Sequence, residues 1–123
     1  MLKSLRIFKC PHCNSLADLF EGSVTPVCCG EPMRELHPNT VDAALEKHVP
    51  VVTHNGDRVV VRVGSVDHPM MEEHYIGYIW VVFEDKVGRA ALHPGMEPYA
   101  EFTPGTGDVE VYEYCNIHGL WKA

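Results

Sequence analysis

Two sets of side chains in this chain are equipped for chemistry, and both are sets of metal ligands. Five cysteines and eight histidines stand in 123 residues. The cysteines divide as four plus one: Cys10, Cys13, Cys28 and Cys29 lie early, and Cys115 stands alone near the C-terminus. An odd number is not consumed by disulfides, and in a reducing compartment thiolates read better as ligands. Cys10-Pro-His-Cys13 is a CxxC knuckle, whose spacing turns two thiolates toward one ion, and Cys28-Cys29 supplies a second pair after fourteen intervening residues. Four thiolates suit tetrahedral Zn²⁺ or a mononuclear iron. Side chains of adjacent residues diverge, so a shell using both Cys28 and Cys29 must be distorted. A structural zinc ribbon and a vicinal disulfide are the alternative readings.

The second set is His48, His68, His74 and His118 with Cys115, which precedes His118 by three residues. Each of these histidines falls at a strand end or in a loop. His68 stands in a pre-proline extended turn (His68-Pro-Met70), and His48 lies just ahead of a strand. Imidazoles with one thiolate suit iron or copper rather than magnesium or calcium. Five protein ligands leave one octahedral position free, and an open position separates a reactive metal from a structural one. Taken singly, each histidine has an ordinary surface reading. His12, His37, His54 and His93 keep that reading, with His93-Pro-Gly95 placed to form a loop near the open site.

The elements that must position these ligands divide the chain in two. Residues 1–37 hold few apolar side chains and need a metal staple to fold. Pro38-Asn39 marks the boundary, and Asn39-Thr-Val-Asp-Ala-Ala-Leu45 offers an N-cap and at most a short helical turn. Beyond residue 48 the pattern is β. Residues 49–54 and 58–63 flank Asn55-Gly56, a strong hairpin signal. Further strands are expected at 75–83, 88–92, 99–102 and 109–114, the last alternating apolar with acidic as a half-exposed strand does. Six or seven short antiparallel strands at this spacing form a sandwich. The fold class expected is therefore mainly β.

A net charge of −7 argues against a nucleic-acid partner, which needs a basic face. No apolar run approaches the 18 residues of a membrane span. The first ten residues mix charge with apolar side chains and lack a signal-peptide core, so a cytoplasmic location is expected.

The motifs Lys9-Cys-Pro-His-Cys13, Val27-Cys-Cys-Gly-Glu-Pro-Met33, Glu46-Lys-His-Val-Pro50, His68-Pro-Met70, His74-Tyr-Ile76 and Tyr114-Cys-Asn-Ile-His-Gly119 resemble those of the desulfoferrodoxins, over essentially the whole chain. The resemblance implies a desulforedoxin-like domain at 1–37, with an FeS4 centre on Cys10, Cys13, Cys28 and Cys29. It implies an immunoglobulin-like β-sandwich at 38–123, whose catalytic iron takes His48, His68, His74 and His118 in the plane and Cys115 on the axis. Two non-haem irons per chain follow. The activity implied is superoxide reductase: one-electron reduction of superoxide to hydrogen peroxide at Fe(II) with an open sixth position. A rubredoxin-like electron donor and a homodimer are implied as partners. Beside the ligands, Lys47 reads as the cation that draws in the anion. Glu46 reads as the carboxylate that closes the sixth position on ferric iron. The chain departs from the family pattern at Met70-Met71, at Gly77, and at His93, where lysine is expected; the last thins the positive patch around the site.

Overall fold

The computed structural model describes residues 5–123. Five short strands come first: β1 (Arg6–Lys9), β2 (Leu16–Leu19), β3 (Val27–Cys28), β4 (Glu31–Pro32) and β5 (Arg34–Leu36). β1 is the centre of a three-stranded antiparallel sheet in the order β2-β1-β5, while β3 and β4 pair with each other. A single helical turn, α1 (Leu45–His48), leads into β6 (Pro50–Asn55) and β7 (Arg58–Val63). Then follow β8 (Ile76–Val82), β9 (Val87–Ala91), β10 (Tyr99–Phe102), β11 (Glu110–Cys115) and β12 (Gly119–Lys122).

β6 to β12 form two antiparallel sheets, one ordered β10-β7-β6 and the other β12-β11-β8-β9. Between them lies a core of Val59, Val61, Val63, Ile76, Ile79, Val81, Phe83, Val111 and Cys115. Alternate residues of β7 supply one wall and those of β8 and β11 the other, as period-2 side-chain direction requires. The expected hairpin is present, with its two-residue turn one position later than Asn55-Gly56: Asn55 pairs with Arg58, leaving Gly56 and Asp57 as the loop. Gly56 has φ +63°, which a residue without Cβ adopts freely.

Two expectations change. Asn39 is no helix cap: its side chain takes a hydrogen bond from Lys122 N (2.9 Å) and gives one to Lys122 O (3.1 Å), fixing the connecting segment to β12. The one-turn α1 begins later and has no side-chain cap. Nor is β11 half-exposed; from Val111 to Cys115 every residue is buried. The cause is the small unit. Ile7, Leu16 and Leu36 pack against Trp80, Val82, Tyr112, Tyr114 and Leu120, on the outer face of the four-stranded sheet. Trp80 Nε1 (3.1 Å) and Arg89 (2.7 Å) both reach Asp18 on β2. Burying Ile7 alone contributes about 1.5–3 kcal/mol, so tertiary packing holds this segment as well as any metal.

Candidate metal centres

The CxxC knuckle is a tight turn between β1 and β2. Asn14 N donates to Cys10 O (3.2 Å) and Cys10 N to Ser15 O (2.9 Å). The amides of His12 and Cys13 point at Cys10 Sγ from 3.4 and 3.5 Å. Across from it, Cys29 adopts φ +54° and is followed by Gly30 at φ +78°. That left-handed turn is how two adjacent cysteines face one point: Cys28 Sγ lies 3.9 Å from Cys29 Sγ and 3.6 Å from Cys13 Sγ. The edge of a tetrahedron with metal–sulfur bonds of about 2.3 Å is about 3.8 Å. All four Sγ atoms lie within 4.8 Å of one another, and none is joined in a disulfide. Cys10 is fully buried among Phe8 and Met33, while Cys13 and Cys29 are exposed.

The packed sulfurs disturb one another's protons. The Ser15 hydroxyl, 3.0 Å from Cys13 Sγ, lowers that thiol to about 6. Hydrogen bonding with Cys13, then with Cys10 and Cys29, pushes Cys28 up to about 12. Protons cannot satisfy four sulfurs this close, and one thiophilic cation can. Ser15 went unnoticed in the sequence, although its position two residues after a ligand was a usable signal. His12 is exposed, as expected, and pairs with Glu31 beyond the second cysteine pair.

The second site gathers all four expected histidines. His48 ends α1, His68 and His74 bracket the loop before β8, and Cys115 and His118 bracket the turn between β11 and β12. Ring centroids of successive pairs are 4.7 Å (His48–His68), 4.6 Å (His68–His74), 5.0 Å (His74–His118) and 4.7 Å (His118–His48). These neighbours stand at 73–89° to one another. Across the ring, His48 and His74 are 6.3 Å apart and inclined at only 29°. Four near-perpendicular edges and a longer, near-parallel diagonal describe a square of imidazoles around a common centre.

Hydrogen bonds aim the nitrogens. His48 Nδ1 donates to Ala44 O (2.7 Å) and His68 Nδ1 to Pro69 O (2.7 Å); a carbonyl only accepts, so each ring proton sits on Nδ1. Both Nε2 atoms then carry lone pairs, yet lie 3.2 Å apart. His118 Nδ1 stands 3.0 Å from His48 Nε2, and His74 Nε2 is buried with no partner. Lone pairs facing each other repel unless a cation lies between them. Adjacent nitrogens around a metal bonded at about 2.1 Å are about 3.0 Å apart, so the residues fit an ion. Burial lowers His48 and His74 and brings His68 to about 4, so these rings are neutral, as ligands must be. Burial also raises Cys115, whose Sγ lies 3.9 Å from His118 Nδ1. Three of the imidazoles and Cys115 present donor atoms within 4.8 Å of one another, and His118 closes the ring.

Several residues position this set. Trp121 stacks on His48 (5.0 Å) and donates from Nε1 to His118 O (3.1 Å). Asn116 accepts from Tyr75 N (2.9 Å) and donates to Glu73 O (3.2 Å), holding the chain on both sides of His74. Gly64 lets α1 approach: a Cβ there would lie 2.6 Å from Glu46 O. Glu46 and Lys47 are exposed on the turn that ends in buried His48. The Lys47 charge reaches the site, contributing to the lowering of both His48 and His74. His37, His54 and His93 are exposed, as expected. The His93 loop is tied beside the His68 loop by Gly95 N to Met70 O (3.0 Å).

Comparison with known proteins agrees with this geometry. The family model described as desulfoferrodoxin matches residues 40–123. The desulfoferrodoxin of Syntrophotalea carbinolica is 46% identical over all of this chain and 98% of its own length. The chain belongs to the desulfoferrodoxin family. The solved superoxide reductase of Treponema pallidum superimposes with a TM-score of 0.80 at 35% identity, over 98% of this desulfoferrodoxin and 99% of that chain. The superoxide reductase of Pyrococcus abyssi is 38% identical over 63% of this chain and 84% of its own length. Fold and relatives together make this desulfoferrodoxin an oxidoreductase with a superoxide-reductase fold. Its four-cysteine and histidine–cysteine groups are consistent with the two iron sites of such a protein.

Proposed function

We propose that the chain is a superoxide reductase, converting superoxide, one electron and two protons into hydrogen peroxide with no oxygen evolved. The observation that carries this reading is the square of four imidazoles with a fully buried thiol beside it, next in sequence to the exposed Lys47. An iron held there would supply the electron and a place for the substrate to bind. The chain's own residues do the rest. His48, His68, His74 and His118 would hold the iron through their ring nitrogens, positioned by the Ala44 and Pro69 carbonyls and by Asn116. Cys115 gives its thiolate from the core, where low dielectric strengthens its influence on the metal's electronics. Lys47 offsets the −7 background for an approaching anion. Glu46, exposed beside it, would offer its carboxylate to the iron in the resting oxidised protein. Protons arrive from water on the exposed face.

Cys10, Cys13, Cys28 and Cys29 hold the second iron, which a rubredoxin-like carrier would serve. We take the division between the two units to be 37/38; β5, the last strand of the small sheet, ends at Leu36. A homodimer belongs to the same reading. The stoichiometry of peroxide formed to superoxide consumed tests the main reading. A reductase gives one peroxide per superoxide; a ratio of one half, with oxygen released, means a dismutase and overturns it.

A further inference from the structure

Lys9 on β1 stands directly opposite Arg34 on β5. Directly opposed residues of an antiparallel pair share a face, with Cβ atoms about 5 Å apart, and like charges there are destabilising. Five cations of this acidic chain are matched: Arg6 to Glu35, Arg58 to Glu101, Arg62 to Asp67, Arg89 to Asp18 and Lys122 to Glu110. Lys9 and Arg34 have no carboxylate partner among the described residues; Lys9 instead lies over the Tyr114 ring, 5.7 Å from its centroid. With seventeen acidic side chains available in the sequence, two facing cations stand without one.

The pair lines a pocket of about 290 Å³, together with Cys10, Pro11, Asn14 and Leu36. The cations therefore stand at the wall of the four-cysteine group, whose Cys13 and Cys29 sulfurs are exposed. The pocket admits a protruding acidic side chain rather than a bulky cofactor. A protein carrier anchored there would bring its redox centre close to those exposed sulfurs.

We propose that Lys9 and Arg34 are the docking point for the acidic face of a small one-electron carrier protein, which passes its electron to iron at the four-cysteine group. The inference rests on the reading that this group holds iron. In the step the reduced carrier loses one electron and the ferric centre gains it; no bond forms or breaks and no proton is needed.

Stopped-flow mixing of the iron-loaded protein with reduced rubredoxin, used as an acidic probe, tests it through bleaching of the thiolate–iron visible band. Arg34→Glu turns the like-charged pair into an ion pair, so the variant should keep its iron content and its melting temperature. Its second-order rate at low salt should fall at least tenfold and lose most of its salt dependence; Lys9→Gln should fall severalfold. Arg58→Glu, on β7, makes the same charge change elsewhere and should leave the rate within twofold. Unchanged rates in Arg34→Glu and Lys9→Gln overturn the proposal, as does an equal loss in Arg58→Glu, which would mean net charge alone. Calorimetric titration with oxidised rubredoxin reads docking whatever metal the cysteines hold. A tenfold weaker affinity in Arg34→Glu is expected, and equal affinity overturns the docking. Metal analysis finding zinc in place of iron would instead refute the reading on which the inference rests.

Discussion

Glu113 sits on β11 with both carboxylate oxygens enclosed and unpartnered, facing Ile79 and Trp121 across the sheet. Burial raises it from its ordinary 4.5 to about 9, so it is a neutral acid at physiological pH. The unfolded chain releases this proton near pH 4.5, and the folded chain holds it to about 9. Between those values folding takes up a proton, so each unit of rising pH weakens the fold by up to about 1.4 kcal/mol. Glu113→Gln should remove that dependence. Thermal melts from pH 5 to 9 should fall by roughly 15 °C or more in the native protein and change much less in the variant. Lys47 lies at the opposite extreme, exposed and charged. Lys47→Ala should slow the superoxide encounter about three- to tenfold and flatten its salt dependence, since one charge at a focused site acts on approach. Pulse radiolysis at two ionic strengths measures both; an unchanged rate would remove Lys47 from the approach. The ligand types were legible in the sequence because cysteine and histidine in excess have few other uses. Their order around the square, and the nitrogen each presents, were not. Those depend on the Ala44 and Pro69 carbonyls, which any residue could have supplied.

At the level of elements, the one-turn α1 depends on a neighbour. Gly64 follows β7, and the Glu46 carbonyl fills the space its side chain would need. Val66 N donates to that same carbonyl (2.9 Å), so the turn bearing Glu46, Lys47 and His48 is fastened to the loop after β7. Gly64→Ala should push α1 outward at a cost of about 1–3 kcal/mol and loosen His48. Iron at the histidine–cysteine site should then fall below stoichiometric while iron at the four cysteines stays full, which metal analysis with electron paramagnetic resonance can separate. Strands β6 to β11 were legible from alternation and turn residues. β1, β2 and β5 were not, because segments of three or four residues give no periodicity to read. β12 was hidden for another reason: its residues lie so close behind Cys115 and His118 that they read as ligand loop. The burial of β11 was illegible because its covering lies a hundred residues earlier in the chain.

For the molecule as a whole, Ile7 and Phe8 show how the small unit is held. Ile7 faces the sandwich, and Phe8 faces Cys10 and Met33, so β1 joins two cores. Ile7→Ala should cost about 2–5 kcal/mol and destabilise both units together. Denaturant unfolding followed by tryptophan fluorescence and by the four-cysteine absorption band should then give coincident curves, shifted equally. Separate transitions would mean that the small unit opens by itself.

The small unit also determines what the sandwich can do without it. Trp80, Val82, Tyr112, Tyr114 and Leu120 form an apolar outer surface that is dry only because β1, β2 and β5 lie on it. A gene encoding the sandwich alone would expose that surface as a sticky plate. Trimming the chain to its sandwich is therefore not a matter of deletion. It requires rewriting the outward-facing positions of β8, β11 and β12 in polar residues, or recruiting another chain to cover them.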